Sequence, residues 1–171
     1  MKILRSIFPV YYWLILMVGV VFLFANQPNA YILLNLAATL FFIKIVVVIH
    51  EIGHLLFGKL VGGNPKRIVL GKSHQLKRFS ILNVKIVLNK DFNGGFAFVT
   101  FPKGKKTKFN QFVLTSGGFL TNFLIAYLCF IIGGFNPLFL SGKYGLDFNS
   151  TFIITNILIG VFSLIPYYVD Y

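Results

Sequence analysis

His50-Glu51-Ile52-Gly53-His54 is the stretch of this chain whose residue types and spacing could do chemistry. Histidines four apart lie on one face of a helix, a turn from each other, where two imidazoles can grip one ion. Glu51 is about 100° round from His50, within reach of a water held by that ion. A catalytic zinc site needs neutral imidazole nitrogens and an open position for the water. The ion lowers the water's pKa and the carboxylate takes the proton. With three His and four acids in 171 residues, a chance match to this pattern is improbable.

The surroundings make it a membrane feature. Hydrophobic residues are 57% of the chain and charged residues 12%. A soluble domain sits near roughly 45–50% apolar, so lipid is the natural solvent here. Four segments approach the roughly 20 residues that span a hydrocarbon core: about 7–25, 31–60, 111–132 and 151–169. The first is too long for a signal-peptide core and reads as a retained anchor. A polar or charged triad in such a helix costs several kcal/mol unless something compensates.

The formal charge is +12, from 16 Lys and Arg against Glu51, Asp91, Asp147 and Asp170. Twelve of the cations fall between Lys59 and Lys108, flanked by apolar runs. That is the signature of a cytoplasmic membrane-flanking loop, not of a nucleic-acid face. With Lys2 and Arg5 before the first span, the bias places the N-terminus, the 59–108 stretch and the histidine pair towards the cytoplasmic side. The lone Cys129 can form no internal disulfide.

Residues 62–108 differ in kind. Ile68-Val69-Leu70, Ile81 to Leu88 and Phe96 to Phe101 are rich in β-branched and aromatic residues and separated by Gly, Pro, Asn and Asp. They predict three short strands. Gly94-Gly95 predicts a turn, a bulge or a close backbone approach. The expected architecture is a single all-α membrane domain, a four-helix transmembrane bundle with a small β insertion between its second and third helices.

Two histidines do not complete a catalytic zinc site, which takes three protein ligands. His74 lies in a polar loop, and Asp147 falls at the external end of the bundle. Asp170, at the cytoplasmic end of the fourth span, is favoured by elimination. Lys44, seven residues before Glu51, shares nearly its face and reads as lining a watery cavity, pairing with a carboxylate, or sitting near lipid without function.

The chain resembles the site-2 protease family of intramembrane zinc metalloproteases. His50-Glu51-Ile52-Gly53-His54 matches that family's zinc-binding helix. Ser116-Gly117-Gly118-Phe119-Leu120-Thr121-Asn122 is similar to its Gly-rich segment ending in Asn. Leu164-Ile165-Pro166 is similar to part of a third motif that reads Asn-x-x-Pro followed by Asp-Gly. The resemblance implies Zn²⁺ on His50, His54 and Asp170, catalysis by Glu51, and a substrate-binding role for Gly118 and Asn122. For Asn122 helix packing is the competing reading. The implied substrate is a membrane-anchored protein or leader-peptide remnant, cut amid membrane lipid.

Three departures stand out. Ser163 occupies the Asn position, Asp170 follows Pro166 by four residues where the family has five, and no Gly follows Asp170. The third ligand is thus Asp170 or a residue beyond Tyr171 in a longer protein. The alternative reading is a weak or inactive protein on the same scaffold, serving as a peptide-binding, immunity or regulatory factor. A zinc transporter would need ligands midway along several helices, and the acids here are too few and sit at helix ends. Phe92 to Phe101 reads equally as an open strand edge for an extended substrate and as a hairpin resting on headgroups.

Overall fold

The computed structural model describes residues 8–27, 29–90, 92, 94–104, 106–138 and 145–165. Four helices and four strands occur among them: α1 (Val10–Phe24), α2 (Ala30–Leu60), β1 (Asn64–Leu70), β2 (Gln75–Ile81), β3 (Val84–Asn89), β4 (Gly95–Thr100), α3 (Lys108–Gly133) and α4 (Phe148–Phe162). The fold is mixed α/β, a correction to the all-α expectation, because the sheet contributes part of the core instead of hanging from the bundle.

Helices α2 and α3, with 31 and 26 residues, are long and apolar enough to cross a membrane. Helices α1 and α4 are apolar but have 15 residues each, a rise of about 22 Å against a hydrocarbon core of about 30 Å. The fourth segment was expected to run on to residue 169. Among the described residues α4 ends at Phe162, Leu164 and Ile165 make tighter bonds to Val161 and Phe162, and residues 166–169 lie outside the described residues. Phe162 is four residues before Pro166, a residue type without a backbone N–H to continue the helical ladder.

Side-chain caps start α3 and α4. Thr107 accepts a bond from the Asn110 backbone N–H at 3.1 Å and caps α3. Asp147 caps α4, accepting from the Ser150 N–H at 2.9 Å and the Ser150 hydroxyl at 2.9 Å. A buried polar knot ties this end to α2. Asn35, fully buried, donates to the Gly145 carbonyl at 3.0 Å and accepts from the Asp147 N–H at 3.1 Å. Such pairing is required of an amide buried away from water.

The sheet has the order β2-β3-β1-β4, with β1 and β3 parallel and the other pairs antiparallel. The expected middle strand, Ile81 to Leu88, is the junction of two strands. Leu82 and Asn83 turn the chain with φ of 49° and 65°, a left-handed conformation that Asn tolerates and Leu seldom adopts. Alternate residues of three strands present one apolar face: Ile68 and Leu70, then Val84, Ile86 and Leu88, then Ala97 and Val99. That face packs with Val47 and Leu55 of α2, and Phe92 seals it. The sheet therefore lies along the second half of α2, with β4 an outer strand of the four.

Candidate metal and catalytic site

The site forms where α2 and α3 touch most closely. At Gly53 and Gly117 the two backbones meet: a Cβ on Gly117 would stand 2.6 Å from the Gly53 carbonyl oxygen and 2.6 Å from Phe57 Cβ. Small residues at a helix crossing permit this approach. One turn to either side of the crossing, α3 reaches the two histidines of α2.

The His54 Nδ1 lies 2.8 Å from the Leu114 carbonyl. A carbonyl only accepts, so Nδ1 carries the proton and donates, and Nε2 keeps its lone pair. The Asn122 amide nitrogen lies 3.1 Å from His50 Nδ1. Each imidazole is thus held from behind by α3, and the two Nε2 atoms turn towards each other at 3.2 Å. The rings stand at 87° with centroids 4.8 Å apart.

These atoms fit a divalent ion. Two nitrogens on one tetrahedral zinc, each at about 2.0–2.1 Å, lie about 3.3–3.4 Å apart; the pair here is already at 3.2 Å. Gly118 leaves the necessary room. A Cβ on it would collide with His50 Nε2 and lie 2.6 Å from His54 Nε2, so the space between the two nitrogens exists because residue 118 has no side chain. Among the described residues no group of three or more His, Cys, Asp or Glu converges, and a third ligand is not among them. Asp170, the expected one, lies outside the described residues. His74 is exposed on the turn before β2, and its carbonyl accepts from the Lys90 N–H at 2.9 Å.

Glu51 is buried, and its Oε2 has no hydrogen-bond partner among the described residues. A carboxylate oxygen left so is costly unless a ligand or water engages it. Over its other side runs the start of β4. A Cβ on Gly95 would stand 2.5 Å from Glu51 Cγ and 2.7 Å from Oε1, so the expected close approach at Gly94-Gly95 is an approach to Glu51 itself. His50 and Glu51 open into a cavity of about 580 Å³. Its walls are Thr39, Ile43 and Val47 of α2, Thr155, Ile159 and Ser163 on the α4 side, and Lys72, Gly94 and Gly95 at the sheet end.

Two residues singled out in the sequence take different places from the cavity. Asn122, fully buried, turns to His50. Lys44 donates to the Phe92 carbonyl at 2.7 Å and borders a separate space beside Phe8 and Tyr12, so it fastens the chain just before Gly94 and Gly95. Ser163 does border the Glu51 cavity, but its hydroxyl donates to the Gly160 carbonyl at 2.7 Å. Sequence reading passed over Leu114 and Thr155. Leu114 contributes a backbone carbonyl, which no side-chain pattern reveals. Thr155 likewise bonds backward, to the Thr151 carbonyl at 2.7 Å.

Comparison of the chain with curated proteins gives no match. The profile of the Peptidase M50B-like family matches residues 14–142 of the 171. The matched stretch holds the paired histidines, Glu51, Gly118 and Asn122, and stops short of α4. With three-quarters of its length covered in one run, including both helices that build the histidine site, the chain belongs to the Peptidase M50B-like family, a site-2 protease family.

Proposed function

We propose that this protein is an intramembrane zinc metalloprotease, with His50 and His54 as metal ligands and Glu51 as general base. The observation that carries the reading is the facing pair of Nε2 atoms, 3.2 Å apart across the space that Gly118 leaves open. Bound zinc supplies Lewis acidity to a water and to the scissile carbonyl. Glu51, beside the pair and with Oε2 unpartnered among the described residues, accepts the proton from the attacking water. It then delivers that proton to the departing amine, and no covalent bond to the enzyme forms. Asp170, or a residue beyond Tyr171, completes the ligand set.

All four helices form the bundle in this reading. From Ala30, the rise to His50 is about 30 Å, one hydrocarbon thickness, which supports a catalytic pair near the inner membrane boundary. The Lys-rich 59–108 stretch then faces the cytoplasm. The substrate is a membrane-anchored protein or a leader-peptide remnant. Its scissile segment must be extended, and the outer position of β4, whose first residue lies against Glu51, suits main-chain pairing beside the catalytic group.

The test is Glu51→Gln in purified protein reconstituted with a single-pass substrate. Cleavage is expected to fall by about 10²–10⁴-fold while zinc stays bound. Cleavage that survives the substitution overturns the mechanism. One observation favours a second reading, a peptide-binding or regulatory protein without turnover. Ser163 stands where the resembled motif has an amide, and its hydroxyl proton is engaged by Gly160. That reading expects tight binding of the same substrate and no cleavage by the unsubstituted chain supplied with zinc.

A further inference from the structure

We propose that Lys72 is a specificity-determining residue: it selects peptides that carry a carboxylate side chain close to the scissile bond, on the side nearer the sheet. The inference rests on the reading that the cavity beside Glu51 receives the peptide, and it holds whether or not that peptide is cut.

The cavity is long and unevenly furnished. Its wall on α2 runs from Thr39 to Glu51, about 18 Å of helix, the length of about five extended residues. Most of the lining between those ends is apolar, with Ile43 and Val47 on α2 and Leu158, Ile159 and Phe162 on α4. Such walls take aliphatic or aromatic side chains. Fixed charge enters at the sheet end. Among the described residues that line the cavity, Lys72 is the only lysine or arginine and Glu51 the only carboxylate. Glu51 Oε2 has no hydrogen-bond partner among the described residues, so the ammonium does not bond to that oxygen.

Lys72 is exposed, but its backbone is pinned. It sits between Gly71 and Ser73, both left-handed, with φ of 86° and 66°. The Gly71 N–H donates to the Gly94 carbonyl at 2.7 Å. The Gly71 carbonyl accepts from the Asn89 side chain at 3.3 Å. A Cβ at residue 71 would lie 2.9 Å from the carbonyl oxygens of Asn89 and Lys90, so the turn is packed hard on the chain leaving β3. Gly94 precedes Gly95, the residue pressed on Glu51. One hydrogen bond and two peptide links therefore join Lys72 to the glycine over the catalytic carboxylate. A substrate carboxylate brought to this rim meets the ammonium while its apolar neighbours fill the walls behind. A lysine or arginine brought there meets like charge. Selection thus has an attractive and a repulsive arm.

Binding is measured with full-length Glu51→Gln protein in nanodiscs of zwitterionic phosphatidylcholine, so no peptide is consumed and the lipid adds no net charge. The probes are fluorescent single-pass peptides with Asp, Asn or Lys placed in turn at each juxtamembrane position. At one or two adjacent positions Asp should bind about 5-fold tighter than Asn, and Lys more weakly than either. The differences should close at 1 M salt. Lys72→Glu should invert the order, and Lys72→Gln should abolish it. Lys77→Glu, at an exposed β2 lysine that does not border the cavity, should leave it intact. Peptides that bind with no Asp preference overturn the proposal, and so does an order that survives Lys72→Glu. An order weakened as much by Lys77→Glu also overturns it, because the general charge of +12 would then be the cause. Cleavage by the unsubstituted protein loaded with zinc is followed in parallel. Peptides bound in a Lys72-dependent order but never cut sink the protease reading and support this inference. Peptides cut without regard to charge sink this inference alone, and peptides that do not bind at all sink both.

Discussion

Gly118→Ala adds one carbon at the point where the two helices and the two imidazoles converge. The new Cβ would lie 2.6 Å from His54 Nε2 and closer still to His50 Nε2. Comfortable contacts for carbon begin near 3.5 Å, so α3 must withdraw, or the rings must splay, by roughly 0.5–1 Å. Metal sites tolerate about 0.2 Å in ligand distance. The substitution should therefore lower zinc affinity by at least about 100-fold, or ~2.7 kcal/mol. Stability should fall by no more than about 2 kcal/mol. Ala is favoured over Gly inside a helix by about 1 kcal/mol, which offsets much of the ~1–3 kcal/mol that overpacking costs. Competition with a chromophoric chelator in detergent reads the affinity, and thermal unfolding of the metal-free protein reads the fold. A Gly118→Ala protein that unfolds at the usual temperature and keeps full zinc affinity would refute the assignment of the ion to the space beside Gly118.

The remaining predictions concern the supports of the site. Gly117→Val should separate α2 from α3, because the added carbons meet the Gly53 carbonyl and Phe57. We expect both a loss of about 1–3 kcal/mol in stability and loss of zinc, read by unfolding and by metal content. Lys44→Met removes the donor to the Phe92 carbonyl, a charged hydrogen bond worth roughly 1.5–3 kcal/mol. Hydrogen exchange should quicken at residues 92–97 with zinc affinity unchanged; unchanged exchange there would show that the lysine does not fasten this segment.

The parts of the site that depend on local periodicity were legible in the sequence. The i, i+4 histidines needed only a helix, and the apolar run that predicts one ends at Leu60, where α2 ends. The close approach at Gly94-Gly95 was legible too, but not that Glu51 is what it approaches, since a pairing across 44 positions leaves no local trace. The β2 strand was missed because its pairing with β3 shifts register between Gln75 and Lys77, which breaks the alternation that marks a strand. The β2–β3 turn was missed because Leu82 occupies a position that usually calls for Gly or Asn. Asn122 was read as facing substrate or bonding a neighbouring helix, and it does contact α2; that its partner is His50 was not legible. Its contact with His50 depends on the depth at which two glycines let the helices cross, a tertiary fact that composition does not encode.

That crossing has a consequence for biosynthesis. The two histidines lie on α2, yet the groups they contact, Leu114 and Asn122, follow 60 and 72 positions later on α3. During that interval the nascent chain has histidines but no frame to aim them. If the two histidines hold an ion as proposed, its capture would wait until α3 has packed against α2 at Gly53. On the proposed function, a hydrolytic centre assembled in this order would be incomplete until α3 is in place.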